Sequence, residues 1–438
     1  MSPLRIPQSL LAALLLTGLL PTAHALPLYD DGDTHVSVDG LAVYGLFDSR
    51  KRYDGGDGGT HWREGFIKYG LKADTGLGEA GSLYGAFALV SSGTWGDGDA
   101  SGLSDGSERT TKIEDAYAGW RSGGLFPALG KDGVDVSFGR QLYKLGRGFL
   151  INDDGLNPGK GLADGDYNRG GAYYLAARHA FDRTAVVKVG GDQGWNGSAA
   201  WLKSDNRIQA NSEMTVGSLG YTGAAGTVAG AWIHGLDVDD RWASDFQQRR
   251  DGMNTYSLRA EGSAGIEHAN FSAEYAVQDA QGDHENAWYL EGSYQFARAL
   301  LTPSVTLRYT RYSQNWDPLF TGFSTGYGTW FQGEVAANYA GPFNSNAGIT
   351  HVGLKVNPLE NVTVGALYFD LRTLHGRDSL NLDARELDLY VEWAVSPNLI
   401  VTPLVGLYRP DHSATDGGNQ SNGDGTNVYS QLVVAVPF

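Results

Sequence analysis

The chain closes on NVYSQLVVAVPF, residues 427–438, and its last residue is an aromatic. Leu432, Val434, Val436 and Phe438 share one parity and all are apolar. Alternation with a period of two marks a strand that keeps one face out of water. A strand that stays apolar to its final residue, with no polar tail, needs a greasy medium on that face. A soluble core would serve, and so would a lipid bilayer.

The other end of the chain narrows the choice. MSPLRIPQSLLAALLLTGLLPTAHA carries one positive charge, at Arg5, then an apolar stretch from Leu10 to Leu20, then Ala23 and Ala25 in the A-x-A spacing of a cleavage site. This reads as a secretory signal peptide over 1–25, with a mature start at Leu26. The apolar stretch is well short of the roughly 20 residues that a spanning helix requires. No later apolar run reaches that length either, so the exported chain either leaves the membrane or crosses another one as strands.

Composition favours strands. The sequence holds 62 Gly, 23 Tyr and 11 Trp against 3 Met, which suits many turns and aromatic-bearing strands rather than helices. Cysteine is absent, so neither disulfides nor thiolate metal sites are available. A net charge of −17 argues against nucleic acid as a partner. Period two recurs along the chain. FIKYGLKA (66–73) sets Ile67, Tyr69, Leu71 and Ala73 against Lys68, Gly70 and Lys72. NTYSLRAEG (254–262) and FSAEYAVQ (271–278) alternate in the same way, as do SVTLRYT (304–310) and LDLYVEW (387–393).

The connections separate a sandwich from a barrel. Short ones, such as 75–81, 179–182, 222–226, 357–361 and 396–398, alternate with long acidic ones at 48–62, 92–111, 143–168, 235–252, 313–345 and 409–425. Short turns on one side and long loops on the other are the pattern of an outer-membrane barrel, with polar parity in the lumen and apolar parity in lipid. The expected class is therefore all-β: a transmembrane antiparallel β-barrel over 26–438 with long extracellular loops. A tally that keeps strands alternating in direction reaches eighteen, including one strand at 169–179 and a single long one at 183–203. That tally treats the apolar segment 328–340 as part of a long loop, 313–345, able to fold inward and narrow a pore. The final strand then closes on the first, and Phe438 lies in the periplasmic aromatic girdle, an ending that resembles the signal read by the barrel-assembly machinery. The location expected is the bacterial outer membrane, with its lipid and lipopolysaccharide as partners.

FGRQLYKLGRGFLINDDG (138–155), NWDPLFTGFSTGYGTWFQGEV (315–335) and NPLENVTVGALYFDLR (357–372) resemble the alginate-export family of outer-membrane porins. The resemblance implies an 18-stranded barrel, an anionic polysaccharide as cargo, and an arginine-rich constriction around Arg140, Arg147, Arg169 and Arg372. Parity read from the residues themselves places Lys68, Lys72, Arg259 and Arg308 toward the lumen, and also Glu261, Glu274, Glu291, Asp388 and Glu392. Arg140 reaches the lumen only if Gly139 forms a bulge. A ring of cations at one level would select anions. The competing reading is a diffusion pore for small or sugar-like solutes whose lumen charges pair with one another.

One loop carries a sharper pattern. DGDASGLSDGSE (97–108) fits a calcium loop with Asp97, Asp99 and Ser101 at positions 1, 3 and 5, Gly102 at 6, the Leu103 carbonyl at 7, Asp105 at 9 and Glu108 at 12. Ca²⁺ is thus an expected ligand of that loop, against the plainer reading of a solvated acidic segment; no other cofactor is expected. No HExxH or GxSxG occurs and the histidines are scattered, so no enzyme is expected.

Overall fold

The computed structural model describes residues 26–322, 332–341, 343–376 and 380–438; the expected signal peptide lies outside them, as does part of the 328–340 segment. The architecture is one antiparallel sheet closed on itself. β1 (Leu26–Asp30) is a short addition that pairs with the start of β2 (Thr34–Ser49). The wall continues through β3 (Thr60–Gly76), β4 (Ser82–Gly96), β5 (Arg109–Arg121), β6 (Val134–Gln141), β7 (Phe181–Val189), β8 (Gly194–Lys203), β9 (Glu213–Gly223) and β10 (Gly226–Asp237). It is completed by β11 (Asn254–Gly262), β12 (Ala269–Ala280), β13 (Asp283–Gln295), β14 (Ser304–Tyr312), β15 (Ala347–Leu359), β16 (Val362–Thr373), β17 (Ala384–Ser396), β18 (Leu399–Pro410) and β19 (Asn427–Pro437).

Closure is made by the C-terminal stretch, residues 427–438. β19 pairs with β2 from Tyr429 opposite Ser49 to Pro437 opposite Leu41. Phe438 then exchanges two backbone hydrogen bonds with Gly40, each 2.9 Å. A Cβ at position 40 would fall 2.2 Å from the Phe438 ring, so glycine is what lets the terminal aromatic lie flat against the first wall strand. Closing the sheet removes the open edges that strands of this length would otherwise expose.

The faces follow the expected parity. Ile67, Leu71, Tyr256, Leu258, Tyr275 and Leu290 are exposed on the outside, whereas Glu64, Phe66, Thr255, Glu274 and Glu291 are buried inside. An apolar outer belt on a closed antiparallel barrel is the architecture of the bacterial outer membrane, where every backbone donor and acceptor must be satisfied within the wall. The connections are short at the periplasmic end (77–81, 190–193, 224–225, 360–361, 397–398) and long at the other (97–108, 142–180, 238–253, 313–346, 411–426). The segment 122–133 is a longer periplasmic exception, and 281–282 is a tight extracellular one.

Eighteen strands form the wall, as expected, but two differences from the sequence reading offset each other. Residues 169–179 form no strand; they belong to the inward end of the loop 142–180. The span 183–203 holds two strands, β7 and β8, joined by a turn in which Gly190 (φ +97°) and Gly194 (φ +80°) adopt a backbone that side chains disfavour. Segment 179–182 is accordingly not a periplasmic turn but the extracellular entry to β7.

Two extracellular loops descend into the barrel and form its core. From 142–180 come Phe149, Leu150, Ile151, Tyr173 and Leu175; from 313–346 come Trp316, Leu319, Phe320, Val335 and Tyr339, all nearly fully buried. Ile151 bridges Phe320 in parallel fashion, and the Phe149 ring lies 5.1 Å from Tyr289 and 5.8 Å from Tyr312 on the wall. Each such side chain contributes about 1.5–3 kcal/mol by leaving water. The long loop expected to fold inward does so over the residues described.

Candidate functional site

The lumen site begins with how the inward loops are held. Wall carboxylates accept loop backbone N–H groups that would otherwise be buried unpaired. Glu64 on β3 accepts from the Leu175 N–H at 3.0 Å. Glu114 on β5 accepts from His179 at 2.7 Å and Ala180 at 2.9 Å. Glu386 on β17 accepts from Val335 at 2.6 Å and Ala336 at 2.8 Å, and Asp388 accepts from the Glu334 N–H at 3.4 Å. Glu114 can face inward beside Asp115 because the β4–β5 register shifts where Leu89 meets Ile113, a bulge that turns two consecutive side chains to one face.

Against these anchors stands a knot of arginines on a single carboxylate. Asp205, in the segment joining β8 to β9, receives Arg140 at 2.9 Å, Arg178 at 3.0 Å and Arg169 at 3.4 Å. Arg140 also reaches Asp182 at 2.9 Å, and Arg169 reaches Asp154 at 3.0 Å. Burial alone would push the Asp205 carboxyl up, but Arg169, Arg178 and Arg140 together hold it well below the usual range. Arg140 arrives from the wrong parity: its neighbour Phe138 points outward and is 58% exposed. The β6–β7 register shifts between Gly139 and Gln141, and Gly139 has φ +123°, so the bulge that the sequence required is present and turns Arg140 inward.

The remaining cations spread along the lumen. Lys68 pairs with Asp115 at 2.7 Å, and Lys72 with Asp39 at 2.6 Å. Arg147, on the inward loop, approaches Glu261 at 3.6 Å and Glu291 at 3.9 Å; Arg308 meets Glu291 at 3.3 Å. Arg259 stands across the β11–β12 ladder from Glu274, and its Nε and Nη1 find no hydrogen-bond partner. Lys144, also on the inward loop, and Lys188, on the inward parity of β7, have no carboxylate within ion-pair distance among the described residues. Sequence reasoning did not single out Arg178, Asp205, Lys144 or Lys188. Correct bounds for β7 would have placed Lys188 inward with Thr184 and Val186.

Two expectations are corrected. Arg372 does not face the lumen: the inward parity of β16 is that of Leu367, Phe369 and Leu371, so Arg372 lies on the outer rim with Asp370 at 2.6 Å, Asp411 at 3.3 Å and Asp383 at 3.4 Å. The loop 97–108 does not gather calcium ligands. Asp99 accepts from the N–H groups of Ser101 and Ser104, Glu108 from those of Asp105, Gly106 and Lys160, and Asp97 from that of His61. The Ser101 hydroxyl donates to the Tyr339 carbonyl, and Asp105 accepts from the Ser107 N–H. The Leu103 carbonyl is taken by the Gly159 N–H at 2.6 Å. Among the described residues no three acidic or histidine side chains converge on a cation position. Oxygens that a calcium ion would need instead hold the loop's own backbone and its contacts with the inward loops.

No family model and no curated protein matches the chain. Solved structures match over nearly its whole length. OccK7 (OpdD) of Pseudomonas aeruginosa aligns with a TM-score of 0.57 at 13% identity, covering 94% of this chain and 99% of its own. OccAB1 of Acinetobacter baumannii gives 0.57 at 12% identity over 95% and 98%, and a BenF-like porin from Pseudomonas fluorescens Pf-5 gives 0.57 at 10% over 92% and 98%. At such identities the likeness carries the fold alone. It overturns the expected kinship with the alginate-export family: the motifs at 138–155, 315–335 and 357–372 coincide with no family model, and the matching barrels are Occ proteins and a BenF-like porin.

Proposed function

We propose that this outer-membrane barrel is a diffusion pore for small solutes and that its lumen favours anions. The observation that carries the reading is the state of the lumen charges once the two loops are docked. Eight acidic wall residues are engaged: Glu64, Glu114, Glu386 and Asp388 hold loop backbone, and Asp39, Asp115, Glu261 and Glu291 face cations, whereas Glu274 and Glu392 make no ion pair among the described residues. Among the lumen cations, Lys144, Lys188 and Arg259 have no bonded carboxylate among the described residues. Arg147 and Arg259 share one side of the lumen beside the buried Arg308–Glu291 pair, so a solute carboxylate can pass from one guanidinium to the next. The inward loops occupy the cross-section that a polysaccharide chain would need, which favours small cargo, and the porin name of one fold neighbour points the same way.

The acidic extracellular loops oppose anion entry, but screening limits their reach to about 10 Å at 0.1 M salt, so charges at the constriction dominate selectivity. Reversal potentials across a KCl gradient in planar bilayers test the reading. Wild type is expected to prefer Cl⁻, and the Lys144→Ala/Lys188→Ala/Arg259→Ala variant to lose that preference. A wild-type pore preferring K⁺ would overturn the anion reading, and absence of conductance would overturn the pore itself.

A further inference from the structure

We propose that the outer wall across β2 to β5 holds one phosphorylated, acylated glycolipid of the outer leaflet in a built site. Ladder register sets the outward side chains in rows. Val434, Tyr44, Gly65, Gly93 and Arg109 lie side by side across five strands, and the next row toward the extracellular side runs Leu432, Leu46, Arg63, Trp95. Gly65 and Gly93 leave the middle of this surface without side chains, and Ala42 and Ser91 continue the gap toward the periplasm. The result is a groove of 690 Å³ in the lipid-facing wall. A Cβ on Gly65 would stand 3.0 Å from Tyr44 and 3.4 Å from Trp95, so these two rings form the groove's upper walls. Ile67 and Val436 give its lower part an apolar lining suited to an acyl chain.

The upper end is cationic. Arg109 lies with its guanidinium 4.2 Å over the Trp95 ring and gives Nη1 to the Thr94 and Glu108 carbonyls, while no carboxylate pairs with it among the described residues. The side chain of Arg63, in the row above Gly65 and beside Trp95, makes neither a hydrogen bond nor an ion pair among the described residues. Two other outward arginines near the rim are paired, Arg372 with Asp370 and Arg385 with Asp370 at 3.5 Å, and Arg409, which makes no ion pair among the described residues, has no apolar slot described beneath it. Two unmatched guanidiniums therefore stand at the level where aromatic residues mark the membrane interface, directly above an apolar slot. Charge complementarity selects a phosphate there, bound by the planar donor fork, with an acyl chain below it. A long loop end places this level in the extracellular leaflet, which is where a phosphorylated glycolipid resides.

Native mass spectrometry of the detergent-purified full chain tests the site, using hexa-acylated, bisphosphorylated lipid A as probe. One retained lipid A per monomer is expected, with retention lowered about tenfold or more in Arg63→Ala/Arg109→Ala, as loss of charge-assisted hydrogen bonds implies. Ser91→Leu, which fills the slot without touching the arginines, should lower retention too, and Arg385→Ala should not. Unshifted electrophoretic heat-modifiability shows that each variant still folds. Equal retention in the double-arginine variant, equal binding of dephosphorylated lipid A, or equal binding of phosphatidylglycerol would overturn the proposal. So would an oligomer that dissociates in Ser91→Leu, since the groove would then be a contact between copies of this chain.

Discussion

Asp205 shows what a single residue does in this lumen. Three arginines converge on it from β6 and from the inward loop, so it joins the plug to the wall while neutralising part of their charge. Its carboxyl is held below the ordinary value, so the proton-free form stabilises the docked loop above the usual carboxylate range. That contribution is lost only as pH falls through the lowered value, because the undocked carboxylate then binds the proton first. Asp205→Asn should weaken loop docking by about 1–3 kcal/mol at neutral pH. Protease sensitivity of the 142–180 loop in the folded barrel measures this: cleavage should be faster in the variant at pH 7, and wild type should approach it only in strong acid. Identical cleavage at pH 7 would show that the knot does not hold the loop. Gly139 works at the same scale, since one bulge decides whether Arg140 meets lipid or Asp205.

At the scale of the element, the second inward loop has the opposite pH response. Glu334 is buried where Tyr174 donates to it at 2.7 Å, and burial pushes its carboxyl up to about 8, with Glu386 adding to the rise. A group whose value is higher in the docked state carries a proton that the undocked chain has released, so docking weakens as pH climbs from the ordinary carboxylate range through about 8. Single-channel recordings between pH 5 and 9 should show gating noise rising with pH, and Glu334→Gln should flatten that dependence. Noise that falls with pH would contradict the assignment.

The whole barrel sets the solute limit. Aromatic and aliphatic residues of both loops fill mid-lumen, where a large empty barrel would conduct far more. Deleting residues 149–170 should therefore leave a heat-modifiable barrel of unchanged strand content by circular dichroism but raise single-channel conductance severalfold. Unchanged conductance would mean that solutes pass elsewhere. The deletion should also blunt anion preference, because Arg169 is removed and Lys144 and Arg147 lose the loop that positions them.

Legibility divides along the same physical line as burial. Ile67, Tyr69 and Leu71 against Lys68 and Lys72 state in the sequence which face is lipid and which is lumen, because a strand's side chains alternate whatever it pairs with. The inward placement of Arg259 and Arg308 follows from that rule, whereas the count of eighteen was reached through two assignments that offset each other. Residues 169–179 misled because RGGAYYLAARH is as apolar as a wall strand; a plug and a wall both bury side chains, and a local pattern does not say against what. The glycines at 190 and 194 carried the missing turn signal. The apparent calcium loop differs for a related reason: carboxylate spacing is written in the sequence, but whether those oxygens meet a cation or the backbone of a distant loop depends on how the chain packs. Strand parity is covalent geometry and is fixed locally. The convergence of Arg140, Arg169 and Arg178 on Asp205, and the residual cations it leaves, required distant segments to be brought together, and only the tertiary structure does that.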